Sequence, residues 1–222
     1  MKKYKSLIFD CDGVILNSNK IKTKSFEKIL REFNSDAIKE FIDYHKNNGG
    51  ISRYKKLNHF LVNILPKYSK SLKNKNDQLL SLLEDYGKEC KKSLYNSEVT
   101  SDLEKLRCMT QNISWLIVSG GDQKELRDVF KYKKLSKYFN GGIFGSPENK
   151  IDIVKRKIKE GLINYPALFL GDSKLDYIVA KKLNIDFLFV TDWTDLKDFK
   201  CFCKNNSIDM INSVSDLIGM FK

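Results

Sequence analysis

At 222 residues and 41% hydrophobic content, the chain can form one full domain plus a smaller one, and it is too apolar for general disorder. The net charge of +12 raises nucleic acid as a partner, but only Arg31, Arg53, Arg107, Arg127 and Arg156 are arginines, and the lysines are interleaved with acids along the whole chain. That pattern reads as a solvated lysine-rich surface; it excludes a dense arginine stripe or an aromatic-plus-basic module, while its positive field would draw in a small anion.

The first element is predicted over residues 4–9, where Leu7-Ile8-Phe9 reads as a buried strand. Asp10-Cys11-Asp12-Gly13-Val14 follows directly. Side chains at i and i+2 leave extended backbone on one side, and Gly13 permits a tight turn. Asp10 and Asp12 therefore converge at the carboxyl edge of a sheet, where open α/β folds bind ligands. Like charges held that close need a proton or a cation between them. The pair suits a site with a metal ion, a nucleophilic carboxylate and a separate acid/base.

From about residue 17 to 95 the pattern turns helical. Phe26, Ile29, Leu30 and Phe33 fall at helical spacing, as do Leu57, Phe60, Leu61 and Ile64 before Pro66, and Leu79, Leu82, Leu83 and Tyr86 before Gly87. Asn47-Asn48-Gly49-Gly50 breaks the run. His45 and His59 lie on no motif and read as packing or surface residues. Three or four helices without a strand are expected here.

Strands and helices then alternate. A helix is predicted over Glu98–Met109, a buried strand over Ile113–Val118 ending at Ser119-Gly120-Gly121, and a helix over Asp122–Tyr132 with Asp122 as its cap. Ile143-Phe144 is a short strand, and a helix runs from about Asn149 to Glu160 with Gly161 as its stop. Ala167–Leu170 is a strand ending at Gly171-Asp172-Ser173; a helix over Asp176–Leu183, a strand over Phe187–Val190 and a closing helix over Ile208–Met220 complete the chain. The fold class is α/β, a doubly wound parallel sheet with an all-helical insertion. Residues 1–16 and 96–222 are assigned to the core domain and 17–95 to the insertion.

The five cysteines, at 11, 90, 108, 201 and 203, include no Cys-x-x-Cys and no partner pair for a zinc site. They read as reduced thiols of the cytosol. Met1-Lys2-Lys3 and the apolar run behind it end too soon, at Asp10, for a signal peptide, and no run approaches a membrane span. A cytoplasmic protein is expected, with neither membrane nor nucleic acid as partner.

In this reading Asp10/Asp12, Ser119 and Asp172 stand at strand ends that share one edge of the sheet. Any one of them could be an ordinary turn former or helix cap; the set points to metal-assisted phosphoryl transfer. Here the chain resembles the haloacid dehalogenase-like hydrolases. Asp10-Cys11-Asp12-Gly13-Val14 is similar to their first motif and Ser119 to their second. Gly145-Ser146-Pro147-Glu148-Asn149-Lys150 is similar to the third, and Gly171-Asp172-Ser173-Lys174-Leu175-Asp176 to the fourth. The resemblance covers essentially the whole chain and implies these roles: Asp10 as nucleophile, forming an aspartyl phosphate; Asp12 as general acid and then base; Ser119 with the amides of Gly120 and Gly121 as phosphoryl-binding donors; and Lys150 as charge compensation. It implies Mg²⁺ held by Asp10, the Asp12 main-chain carbonyl and Asp172, with Asp176 behind them or reaching the ion through water. Asp12 is the residue that the dehalogenase branch lacks, which favours phosphate chemistry.

The insertion sits where the family carries its cap. Gly49-Gly50-Ile51-Ser52-Arg53 resembles the cap loop of β-phosphoglucomutase-like members, which makes Arg53 a candidate reader of a distal anionic group; Tyr54-Lys55-Lys56 departs from the mutase form. Asn17-Ser18-Asn19 stands where many relatives carry Asp-Ser. The expected activity is a Mg²⁺-dependent phosphatase acting on a small phosphorylated metabolite, a sugar phosphate or sugar-acid phosphate. The alternatives are a phosphomutase of the β-phosphoglucomutase type, a catalytically silent binding protein on the same fold, and, on charge alone, a nucleic-acid-binding module.

Overall fold

A computed structural model describes residues 4–69 and 74–221; Met1-Lys2-Lys3 lies outside the described residues. Strand β1 (Ser6–Phe9) is fully buried and sits mid-sheet. Beside it lie β2 (Ser114–Asp122), β3 (Gly142–Ser146), β4 (Ala167–Gly171), β5 (Asp186–Val190) and β6 (Met210–Ile211). The order is β3-β2-β1-β4-β5-β6 and every pairing is parallel. Such a sheet is covered on both faces, which is why its strands are unbroken apolar runs. Leu7, Phe9, Trp115, Ile117, Leu168 and Leu170 face one side, and Ile8, Leu116, Val118 and Phe169 the other.

Chain order reverses between β1 and β4: the chain moves outward from β1 through β2 to β3, then returns to β4. A crevice opens at the carboxyl ends of strands beside such a reversal. The register aligns Phe9 with Ile117 on one side and with Leu170 on the other. Asp10 follows Phe9, and its amide donates to the Leu170 carbonyl at 2.9 Å. Asp10 and Asp172 thus flank the reversal.

Among the described residues 17–95 hold no strand. They form α1 (Asn19–Leu30), α2 (Ser35–Asn47), α3 (Arg53–His59), which runs on through a wider turn over Phe60–Ile64, and α4 (Lys75–Tyr95). Phe26 is central to their packing, with ring centroids 5.1 Å from Phe41 and 4.1 Å from Tyr86. These side chains continue the apolar cluster that begins at Leu7 and Phe9. The chain enters and leaves the helical unit through two segments lying side by side. Asn17 donates its amide to the Glu98 carbonyl at 3.0 Å and its side chain to the Glu98 carboxylate at 3.1 Å, and the Thr100 amide reaches the Ile15 carbonyl.

The remaining helices are α5 (Leu103–Met109), α6 (Gln123–Tyr132), α7 (Lys150–Lys159), α8 (Lys174–Lys182), α9 (Phe199–Asn206) and α10 (Leu217–Met220). Three local expectations change. The helix expected from Glu98 begins only at Leu103, because Asp102 takes a left-handed backbone at φ 58°. Helix α9 lies where no element was expected; it buries Cys203 and stacks Phe199 on Phe189. The closing helix over Ile208–Met220 is instead β6, a short 3₁₀ turn and α10. Met210 and Ile211 pair with β5, and Asp216 accepts from the amides of Asn212 and Ser213, which starts a new helical turn.

Phe9, the residue before Asp10, is fully buried against Trp115 and Phe139. Phe9→Ala should lower unfolding free energy by about 3–5 kcal/mol in a denaturant titration. A loss below about 1 kcal/mol would show that this cluster does not anchor the central strand.

Candidate active site

The site is built by loops that leave adjacent strand ends. Asp10, 2% exposed, ends β1. One of its oxygens accepts from the Cys11 amide at 2.7 Å and the other meets the Lys150 Nζ at 2.8 Å. Lys150 reaches it from the first turn of α7, whose cap Asn149 accepts from the Asp152 amide. The same ammonium lies 2.6 Å from Asp176 Oδ1. Asp176 sits in the first turn of α8, and its other oxygen accepts from the Ser173 hydroxyl at 2.6 Å. Asp172, at the end of β4, accepts from the Asn19 side-chain amide at 2.8 Å. Gly13, at φ +77°, passes against it: a Cβ there would stand 2.1 Å from Asp172 Oδ2.

Asp10, Asp172 and Asp176 are all buried, and one oxygen from each lies within 4.8 Å of the others. Burial, then the neighbouring acids Asp176 and Asp12, push the Asp10 carboxyl up to about 7 against the pull of Lys150. Burial, with Asp10 and Asp176 beside it, holds Asp172 well above the usual carboxylate range. Three buried carboxylates against one ammonium leave negative charge without a counter-ion. A hard divalent cation with oxygen ligands fits that donor set and that charge.

Asp12 belongs to a second cluster. Its oxygens accept from the Ser18 hydroxyl at 2.6 Å and from the Lys22 ammonium at 2.5 Å. Burial would raise this carboxyl, but Lys22 and Ser18 outweigh it and hold Asp12 below its ordinary value. The structure thus separates the two aspartates of the first motif: Asp10 is held nearer the neutral range and Asp12 is held ionised.

Ser119 is fully buried and places its hydroxyl 3.4 Å from Asp12. Strand β2 runs on through Gly120 and Gly121 to Asp122, and α6 starts at Gln123. The Gly121 amide donates to the Ser119 hydroxyl at 3.0 Å. Gly120 has a steric role: a Cβ there would come 2.1 Å from the Gly50 carbonyl oxygen of the helical unit.

Arg53 lines the same cavity as Asp10 and Asp12, but its guanidinium is engaged. It donates to Glu125 at 3.0 Å, stands 3.8 Å from Asp122 and lies over the Tyr86 ring. Beside it the Tyr54 hydroxyl donates to Asp122 at 2.7 Å. These contacts tie α3 to α6.

Sequence reasoning missed several residues. Ser18, Asn19 and Lys22 hold Asp12 and Asp172; their signal was helical spacing directly behind the first motif, which places Ser18 and Lys22 on one face. His45, read as packing or surface, is buried against Phe26 and lines the cavity with Lys56. No spacing rule pointed to either.

A family model described as haloacid dehalogenase-like hydrolase matches residues 7–190. No curated protein matches the chain in sequence. Among solved structures, a haloacid dehalogenase-like family hydrolase from Streptococcus pneumoniae is 20% identical, with 100% of each chain covered and a TM-score of 0.70. A predicted phosphoglycolate phosphatase from Haemophilus somnus is 17% identical, with 100% of each chain covered and a TM-score of 0.75. A β-phosphoglucomutase from Clostridium difficile is 18% identical over 97% of this chain and 93% of its own, with a TM-score of 0.70. At these identities the likeness is one of fold.

The raised Asp172 carboxyl has a measurable sign. The folded protein keeps a proton there that the unfolded chain releases near pH ~4, so this group's contribution to metal-free stability falls as pH rises above about 4. In EDTA, the Asp172→Asn protein should melt higher than wild type at pH 8, and the difference should close toward pH 4. Mg²⁺ should raise the melting temperature of wild type and leave that of Asp172→Asn unchanged. Equal melting at pH 8 with an intact Mg²⁺ response would remove Asp172 from the cation site.

Proposed function

The chain belongs to the haloacid dehalogenase-like hydrolases, and from that premise we propose that it is a Mg²⁺-dependent phosphatase of a small phosphorylated metabolite, a sugar phosphate or sugar-acid phosphate. The observation that carries this reading is the Asp10–Lys150–Asp176 ion array beside Asp172, with the Asp12 carboxylate in the same cavity.

Asp10 is the nucleophile. An oxygen of its carboxylate attacks phosphorus in line, the phosphorus–oxygen bond to the alcohol breaks, and an aspartyl phosphate forms. Lys150 fixes the carboxylate and offsets charge on the transferring group. Asp12 takes up a proton when the anionic ester enters beside it and gives that proton to the leaving alkoxide; ionised again, it takes one from the water that attacks the aspartyl phosphate, and inorganic phosphate is released. Lys22 and Ser18 hold it in the ionised form that the second step needs. Ser119, Gly120 and Gly121 orient the phosphoryl oxygens. Asp10, Asp172 and the Asp12 main-chain carbonyl would hold Mg²⁺, steadied by Asp176; when bound, the ion screens the carboxylates and polarises the phosphoryl group.

The helical unit over residues 17–95 is the cap that covers this site and selects substrates. The free cysteines suit a reducing cytoplasm. Among the described residues no helix is long and apolar enough to cross a membrane.

Purified protein with Mg²⁺ should release inorganic phosphate from p-nitrophenyl phosphate and from a panel of sugar and sugar-acid phosphates, in step with loss of the ester. Isomerised ester without phosphate release would mark a phosphomutase instead. Asp10→Asn should abolish turnover. Asp12→Asn should lower kcat on alkyl phosphates by roughly 10²–10⁴-fold, and by less on p-nitrophenyl phosphate, whose leaving group needs no proton. A folded wild-type protein that hydrolyses none of these esters would overturn the reading.

A further inference from the structure

Three lysines of the described residues are buried: Lys56, Lys150 and Lys157. Lys150 meets Asp10 and Asp176, and Lys157 meets Glu160 at 2.6 Å. Among the described residues no carboxylate lies at ion-pair distance from Lys56, which is 3% exposed. Its Nζ lies 2.7 Å from His45 Nδ1 and 3.3 Å from the His45 carbonyl oxygen. The far ring nitrogen of His45 lies 3.1 Å from the Thr23 hydroxyl. Residues from α1, α2 and α3 thus hold this amine in place, on the wall of the cavity that also contains Asp10 and Asp12.

A buried ammonium without an anion is strongly disfavoured, and a structure keeps one only where something offsets it. The protein supplies two acceptors for an ammonium that has three donors. The other cations around the cavity are spent or peripheral. Lys22 is paired with Asp12 and Arg53 with Glu125; Lys46 is half-buried and Lys174 exposed at the rim. Burial and the nearby Lys22 bring the Lys56 amine down to about 7, with Lys150 adding to this and Asp12 and Asp195 opposing it.

We infer that Lys56, oriented by His45, binds a carboxylate at the end of the substrate remote from the transferred phosphoryl group. A carboxylate carries the single negative charge that one ammonium offsets, whereas a second phosphate dianion would bring two into a cavity where Lys22 and Arg53 are already paired. The inference rests on the phosphatase reading for which end of the ligand faces Asp10. It narrows the substrate class to phosphate esters of small hydroxy acids and moves distal recognition from Arg53 to Lys56.

The test uses binding, so that it does not depend on turnover. Calorimetry with Mg²⁺ present compares 3-phosphonopropionate with propylphosphonate, which lacks the carboxylate. Wild type should bind the first at least about tenfold more tightly, as a hydrogen bond to a charged group provides. Lys56→Met should bring the two within about twofold, and Lys56→Arg should restore part of the preference. Equal affinities in wild type, or no binding of either probe, overturn the inference, and that comparison needs no variant. A preference that persists in folded Lys56→Met also overturns it and leaves Lys56 a packing residue of the helical unit. Phosphate release from p-nitrophenyl phosphate, which has no distal carboxylate, reads the phosphatase assignment separately.

Discussion

Too much negative charge in too little water governs this molecule. Asp10, Asp172 and Asp176 are brought together by two strand-to-helix junctions, and among the described residues Lys150, from a third, is the one ammonium at ion-pair distance from them. A hydrophobic pocket of that size would be far easier to build. Neighbouring polar groups hold the acids: the Cys11 amide, the Ser173 hydroxyl and the Asn19 side chain each donate to one carboxylate. The residual charge of the array suits it to the cation and the phosphoryl group of the proposed reaction.

A second constraint is closeness of approach between the sheet and the helical unit. Gly120 on β2 and Gly50 ahead of α3 meet backbone to backbone, and the ion pair between Arg53 and Glu125 lies beside them with the Tyr54 bond to Asp122. The cavity lined by Asp10 and Lys56 is about 70 Å³. Its charged lining suits the compact, highly polar ligand proposed above.

What could be read from the sequence follows from how local each cause is. The central strands announced themselves because burial on both faces demands unbroken apolar runs, as in Leu7-Ile8-Phe9 and Ala167–Leu170. The placement of Asp10 and Asp172 at strand ends was readable because those ends are fixed by short-range spacing, whereas Lys150 was singled out by the resemblance alone. The end of the chain was not: Ile208–Met220 has helical periodicity, but Met210 and Ile211 pair with β5, a contact no local pattern encodes. His45 and Lys56 were hidden for a related reason. One lysine among thirty-five carries no signal until packing decides which of them loses its water.

The two segments joining the halves of the molecule lie side by side, with Asn17 bonded twice to Glu98 and Ile15 to Thr100. A single tether would let a proposed cap tumble; a paired one resists twist and shear and leaves a swing about one line. The cap would then work like a visor, lifting clear and returning in the same alignment each cycle. Gly50 would meet Gly120 again, and Lys56 would return to the same distance from Asp10, so the hinge would preserve the ruler by which a ligand's length is measured.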